Sequence, residues 1–404
     1  MRTIRSARAG RSAGSARSTA SAAGLAAASV LLGLTAGPAR ADTPAYAIQD
    51  LGTLGGTSSL AVAVDHDTVV GNSQLTGNTT THAFAYDRRT QQIEDLGTLG
   101  GPSSTAVAVH GRYVIGNSPT ATGASHGFVY DLRQHTLTDI GTLGGSTSTV
   151  GELSGNILVG SSSLAGDTLT HGFVYNVRTH RMKDIGSLAG PTGGSGAGEI
   201  LQDRYVVGNS TVTGQPSTVL HGYVYDLRTR TFTDIGTHGA ASSTVNDAAG
   251  HTVVGTYPLG GGNFGGTHGF AYNVRTGAWT DLGTNLFVHP LVGGHTVVGS
   301  DSMVGWAYDL KTNTQALVGG IGVTEPKAIS GNLVVGNYYA ANSFGFAYRA
   351  DTGTLTKLPS LGGLNSQAVG TDHAGEIVGQ AATTPPDIFT ANGAYHAALW
   401  TPQP

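Results

Sequence analysis

Apolar and polar positions alternate with a period of two in short runs, and a set of four such runs recurs along the chain. Residues 82–101, HAFAYDRRTQQIEDLGTLGG, show the pattern. His82, Phe84 and Tyr86 alternate with Ala83 and Ala85, which predicts a strand with one bulky face and one small face. Asp87 to Thr90 has turn composition. A second strand from Gln91 to Leu96 then runs into Gly97-Thr98-Leu99-Gly100-Gly101. A hairpin closed by those four turn residues sets Tyr86 opposite Gln91, Phe84 opposite Ile93 and His82 opposite Asp95.

Two further runs complete the unit, Ala61-Val62-Ala63-Val64 and Val69-Val70-Gly71. We name the four runs a, b, c and d in chain order. Run b recurs at Val114-Ile115-Gly116, Leu158-Val159-Gly160, Val206-Val207-Gly208, Val253-Val254-Gly255, Val297-Val298-Gly299, Val334-Val335-Gly336 and Ile377-Val378-Gly379. Run c ends at Tyr86, Tyr130, Tyr175, Tyr225, Tyr272, Tyr308, Tyr348 and Trp400. The repeat averages about 45 residues, a length suited to four-stranded propeller blades. No helical period is present. The array begins on a lone d, residues 46–51, and ends on a lone a-b-c. These offsets predict an all-β, eight-bladed β-propeller of four-stranded blades. Its N-terminal strand completes the last blade, so the ring closes without an exposed long edge.

A histidine in c is matched by an aspartate in d. The pairs are His82 with Asp95, His126 with Asp139, His171 with Asp184, His221 with Asp234, and His268 with Asp281. Where the histidine is replaced, by Val304 and Phe344, the aspartate is replaced too, by Leu317 and Lys357. His396 and Asp50 are left over and pair if the chain closes into a ring. Six copies of half a hydrolase triad in one chain make poor catalytic sense, so the pairs are expected to tie c to d structurally.

The first 41 residues differ from the rest. Spaced arginines precede an apolar run at 25–34 and Ala39-Arg40-Ala41, the plan of a secretory signal peptide. The domain is then 42–404. Removing residues 1–41 takes away six arginines and no acid, so 15 basic side chains face 25 acidic ones, a formal charge of −10. That balance disfavours nucleic acid and anionic membrane surfaces, and no run beyond the leader is long enough for membrane insertion. There is no cysteine, which excludes thiol chemistry.

The His-Ala-Phe, Val-Val-Gly and Asp-Leu-Gly-Thr-Leu-Gly-Gly segments resemble the HAF repeat of bacterial extracellular proteins. The resemblance is close over residues 50–145 and loose over 286–350. It implies a propeller-like fold and carries no particular activity.

Candidate chemistry lies in run a, which lines a propeller's channel, and in the variable b–c loops. The first two units place alanines there, Ala61, Ala63, Ala106 and Ala108. Later units place Glu152, Glu199, Asn246, Asp247, His289 and Lys327 nearby. Such groups could serve as acid and base, hydrogen-bond a sugar, or hold a cation such as calcium. No cofactor or metal site is otherwise predicted. Aromatics outside the repeat, Tyr257, Phe264, Phe287, Tyr338, Tyr339, Phe389 and Tyr395, suit sugar stacking or loop packing equally. The expectation is a secreted, monomeric binding or scaffold protein recognising a glycan or a cell-surface protein. The rival expectation is a polysaccharide hydrolase or lyase using the channel carboxylates.

Overall fold

The computed structural model describes residues 45–259, 266–286, 288–301, 303–319, 322–339, 343–383 and 394–403. The leader predicted at 1–41 lies outside them. The described residues form eight four-stranded antiparallel sheets, each ordered a-b-c-d from the centre outward. Blade 1 comprises Gly55–Asp65, Thr68–Leu75, Thr81–Asp87 and Gln92–Asp95. In blade 8 the a, b and c strands are Ser366–Thr371, Ile377–Ala382 and Tyr395–Pro402. Its outer strand is Tyr46–Asp50, paired antiparallel from Tyr46 opposite Pro402 to Asp50 opposite Ala398. The fold is a β-propeller closed by its own N-terminal strand. Among the described residues there is no α-helix, and none is long and apolar enough to cross a membrane.

The hydrophobic core is divided into eight parts, one between each pair of neighbouring blades. Between blades 1 and 2, Val70, Ala83 and Ala85 meet Val114, Phe128 and Tyr130. Between blades 8 and 1, Val378, Ala397 and Leu399 meet Val69, Phe84 and Tyr86. The aromatic face of each blade thus packs on the small face of the one before it. The two valines of Val-Val-Gly point to opposite neighbours, as a period of two requires. The glycine is required by proximity. A Cβ on Gly71 would lie 2.7 Å from the Phe84 ring and collide with the Leu60 carbonyl.

The c–d register differs from the sequence expectation by two residues: Phe84, not His82, lies opposite Asp95. The turn occupies 88–91 rather than 87–90, because Asp87 is still a strand residue and Gln91 adopts a left-handed φ of 58°. Asp87 Oδ1 accepts the N–H groups of Arg89 at 2.8 Å and Thr90 at 3.3 Å. His82 therefore reaches Asp95 along the diagonal, with Nδ1 2.9 Å from the carboxylate.

Candidate functional site

The same diagonal contact recurs in each of the six blades carrying the pair. Nδ1 of His126, His171, His221, His268 and His396 lies 2.8–3.0 Å from Asp139, Asp184, Asp234, Asp281 and Asp50. Each aspartate also accepts the N–H of a glycine two residues on, such as Gly97 at 2.8 Å. That glycine has positive φ, 76° at Gly97, so the aspartate fixes both the c–d tie and the d–a turn. In blade 7 the replacements make a different tie. Lys357 Nζ sits 4.8 Å from the centre of the Phe344 ring, a cation–π contact.

A second set of polar ties was not anticipated. A buried hydroxyl on the a strand, or directly before it, accepts a backbone N–H from strand c of the preceding blade. The acceptors are Ser59, Ser104, Ser148, Ser195, Ser243, Thr324 and Ser366. Ser59 receives Ala397 N–H at 2.7 Å and so staples the two ends of the chain across the closure. The signal was a serine nine residues after the paired aspartate, as in Asp95 to Ser104, or eleven after it, as in Asp184 to Ser195. Four asparagines directly after run b add ties to the next blade. Asn72, Asn117, Asn209 and Asn337 accept the N–H groups of Ala106, Val150, Val245 and Ala368.

Each inner strand carries a β-bulge beside its Val-Val-Gly partner, for example between Ala61 and Ala63, Ala197 and Glu199, and Val245 and Asp247. Bulges re-aim side chains. Here they bring Glu152, Glu199 and Asp247 to like positions on blades 3, 4 and 5. Glu152 accepts the Ile200 N–H at 2.5 Å, and Asp247 accepts the Val292 N–H at 2.7 Å. Blades 3 and 5 carry Ser161 and Thr256 where blades 1, 2, 4 and 7 carry the tying asparagine. Their acids thus supply a link to the next blade by another route.

Glu199 stands on the blade between the other two, close enough to both for their charges to act on it. All three residues are half-buried. Burial pushes Glu199 well above the ordinary carboxylate range, and the charges of Glu152 and Asp247 push it further. Burial also raises Glu152 and Asp247, against the backbone N–H groups that favour their charged forms.

Beside Glu199 opens a cavity of about 750 Å³ on the face bearing the b–c and d–a loops. One wall is the glycine-rich strand Ser195–Leu201 with Gly193 and Gly194 before it. The other is the b–c loop of blade 4, with Thr211, Thr213, Gln215 and Ser217. Thr168, Thr170, Asn209 and Asn246 add further hydrogen-bonding groups, and Glu199 is the one ionisable side chain among the described residues of the lining.

The remaining candidates lie elsewhere. Lys327 pairs with Glu325 at 2.7 Å, and Tyr339 O–H donates to the same carboxylate at 2.8 Å. Burial raises Glu325, but Lys327 and Tyr339 outweigh it and hold the carboxyl below its usual range, with His289 adding to the effect. His289 is exposed, with φ 44°. Tyr338 stacks on Phe344 with centroids 4.8 Å apart. Tyr395 is half-buried and its hydroxyl accepts from Asn365 at 3.2 Å. Of the two readings of Tyr257, sugar stacking or packing, its place in the structure fits packing and not stacking. It is 3% exposed and packs edge-on against His268, Phe270 and Trp279. Phe264, Phe287 and Phe389 lie outside the described residues. No group of three or more His, Cys, Asp or Glu arranged to hold a metal ion occurs among the described residues.

No protein-family model matches the sequence, and no curated protein matches it. Solved structures resemble it in fold. The computationally designed protein Ika8 aligns with a TM-score of 0.53 at 17% identity, over 87% of this chain and 99% of its own. A structure from a study of two prolyl endopeptidases aligns with a TM-score of 0.53 at 10% identity, over 81% of this chain. This chain spans 52%, about half, of that protein's length. Identities this low speak for the propeller architecture alone.

Proposed function

We propose that the protein binds a glycan in the cavity beside Glu199 and catalyses no reaction there. The observation that carries this reading is the lining: hydroxyl and amide side chains with glycine backbone, and a single carboxyl. Sugars are recognised by such convergent hydrogen-bonding groups in a concave site. Membership of the HAF-repeat group and export through residues 1–41 belong to the same proposal, supported by the repeat motifs and by the composition of the leader.

The hydrolase reading is favoured by one feature, the raised Glu199 carboxyl, since displaced acids mark catalytic sites. The arrangement of its neighbours weighs against it. Glycoside hydrolysis needs two carboxyls separated by roughly 5 to 9.5 Å with the scissile bond between them. Glu152 and Asp247 are occupied by the Ile200 and Val292 N–H groups, and neither lines the cavity beside Glu199.

A glycan array probed with the full chain and with Gly198→Tyr tests the reading. A Cβ on Gly198 meets nothing within 4 Å, so the ring can enter the cavity without disturbing the fold. Binding by the wild type and at least tenfold weaker binding by the variant is the expected result. Equal binding by both, or none by either, would reject the cavity as the site. Release of reducing ends from a bound polymer, lost in Glu199→Gln, would replace binding with catalysis.

A further inference from the structure

A second cavity, of about 890 Å³, lies on the opposite face, among the a–b and c–d turns of blades 1, 2 and 3. Four arginines line it. Arg89, Arg133 and Arg178 come from three successive c–d turns, and Arg112 comes from an a–b turn. The acids in the lining are Asp87 and Glu94, and both are occupied. Asp87 caps the N–H groups of its own turn. Glu94 accepts the Tyr130 hydroxyl and lies 2.7 Å from His135 Nδ1.

The guanidinium groups are far less satisfied. Those of Arg133 and Arg178 have no hydrogen-bond or ion-pair partner among the described residues. Arg89 is held only by Asp67 at 3.3 Å, with 74% of its side chain exposed. Arg112 is fixed by Asp131 at 3.3 Å and lies 4.8 Å from the Tyr113 ring centre. The turns do not require these arginines. Each turn is organised by an Asp or Asn at its start accepting the arginine's backbone N–H, at 2.8 Å for Arg89, 3.0 Å for Arg133 and 3.0 Å for Arg178. That bond is indifferent to the side chain. A concave site with two unpaired guanidinium groups and a third held only by an exposed ion pair is a place where an anion relieves the mutual repulsion of the cations.

We infer that this groove binds an acidic oligosaccharide, its carboxylate or sulfate groups on Arg89, Arg133 and Arg178. Thr68, Gln92 and Asn156 in the lining offer hydrogen bonds to ring hydroxyls. Two features disfavour nucleic acid. The Tyr113 ring, the Phe/Tyr/Trp ring that the described lining contains, is covered by Arg112 and gives no free platform for base stacking. The net negative chain also opposes a ligand as charge-dense as a duplex.

The test measures binding of the full chain to polygalacturonate, dextran sulfate, neutral dextran, single-stranded DNA and duplex DNA across a salt series. Arg133→Gln/Arg178→Gln removes the unpaired charges. Arg228→Gln removes the same turn position from blade 4, outside the groove. Thermal melts confirm that both variants fold. At least one acidic polysaccharide should bind, weakening with salt, with at least a tenfold loss in the double variant and under twofold in Arg228→Gln. Which polymer binds separates a carboxylate ligand from a sulfate ligand. Absence of binding to both acidic polymers, equal binding by the double variant, an equal loss in Arg228→Gln, or tighter binding to either DNA would each overturn the inference. Gly198→Tyr should leave this binding unchanged, so the two cavities stand or fall separately.

Discussion

At the scale of single residues, the repeat is held by polar atoms with more than one task. Asp95 both contacts His82 and caps the Gly97 N–H. His82→Ala therefore loses one contact, and Asp95→Ala loses two. Chemical denaturation should show a loss of about 1 kcal/mol for the first and roughly 1.5–3 kcal/mol for the second, since hydrogen bonds contribute about that each. A double-mutant cycle should give a coupling above about 0.5 kcal/mol. Additive losses would mean that the side chains do not interact in solution. Gly71→Ala should cost more than Gly198→Ala, because only the first Cβ meets the Phe84 ring and the Leu60 carbonyl. Overpacking of this kind costs roughly 1–3 kcal/mol. The paired histidine and aspartate were legible because they vanish together in the divergent units. The buried serines were not, since serine beside glycine looks like turn material until the next blade's backbone is in place.

At the scale of the strand and turn, the pattern located nearly every strand but misjudged how c and d align. A turn one residue further along shifts the antiparallel register by two, and Gln91 has no composition that announces a left-handed φ. The signal was in other copies, where the same turn position is Gly277 or Gly353. Strand Tyr46–Asp50 was legible from the unequal ends of the array, and it yields the clearest element-level prediction. Deleting residues 42–52 removes the pairing with Tyr395–Pro402, the contact between Asp50 and His396, and Leu51, which is 2% exposed. It also removes Gln49, whose Nε2 donates to the Tyr86 hydroxyl of blade 1 at 2.8 Å. The loss falls on two blades at once, so the whole ring should unfold at lower denaturant in one transition. An unchanged midpoint, or early loss of blade 8 alone, would show that the strand is an accessory.

At the scale of the whole ring, the channel is chemically lopsided. Blades 1 and 2 place Ala63 and Ala108 at the position where blades 3, 4 and 5 place Glu152, Glu199 and Asp247. Run a showed this asymmetry in the sequence, but not that the bulges would bring Glu152 and Asp247 close enough for their charges to act on Glu199. The cluster gives the fold a pH dependence of definite sign. In the unfolded chain these carboxyls lose their protons near the ordinary value. In the folded chain Glu199 keeps its proton to higher pH. Between those values the folded state binds more protons, so stability falls as pH rises. The contribution is whole below the ordinary carboxylate value and is lost on passing through the raised one, at about 1.4 kcal/mol per unit of displacement. Glu199→Gln keeps a polar side chain of the same size and removes the titration. Other carboxyls act in the opposite direction: Asp309 and Glu325 lie below their usual range and lose stability on acidification. The informative quantity is therefore the difference between wild type and variant. The urea midpoint of Glu199→Gln should rise relative to wild type from pH 4 to pH 8, with the variant the more stable at neutrality. A difference that stays constant across that range would mean that Glu199 is charged like any surface carboxylate, and that the cavity beside it holds a full negative charge.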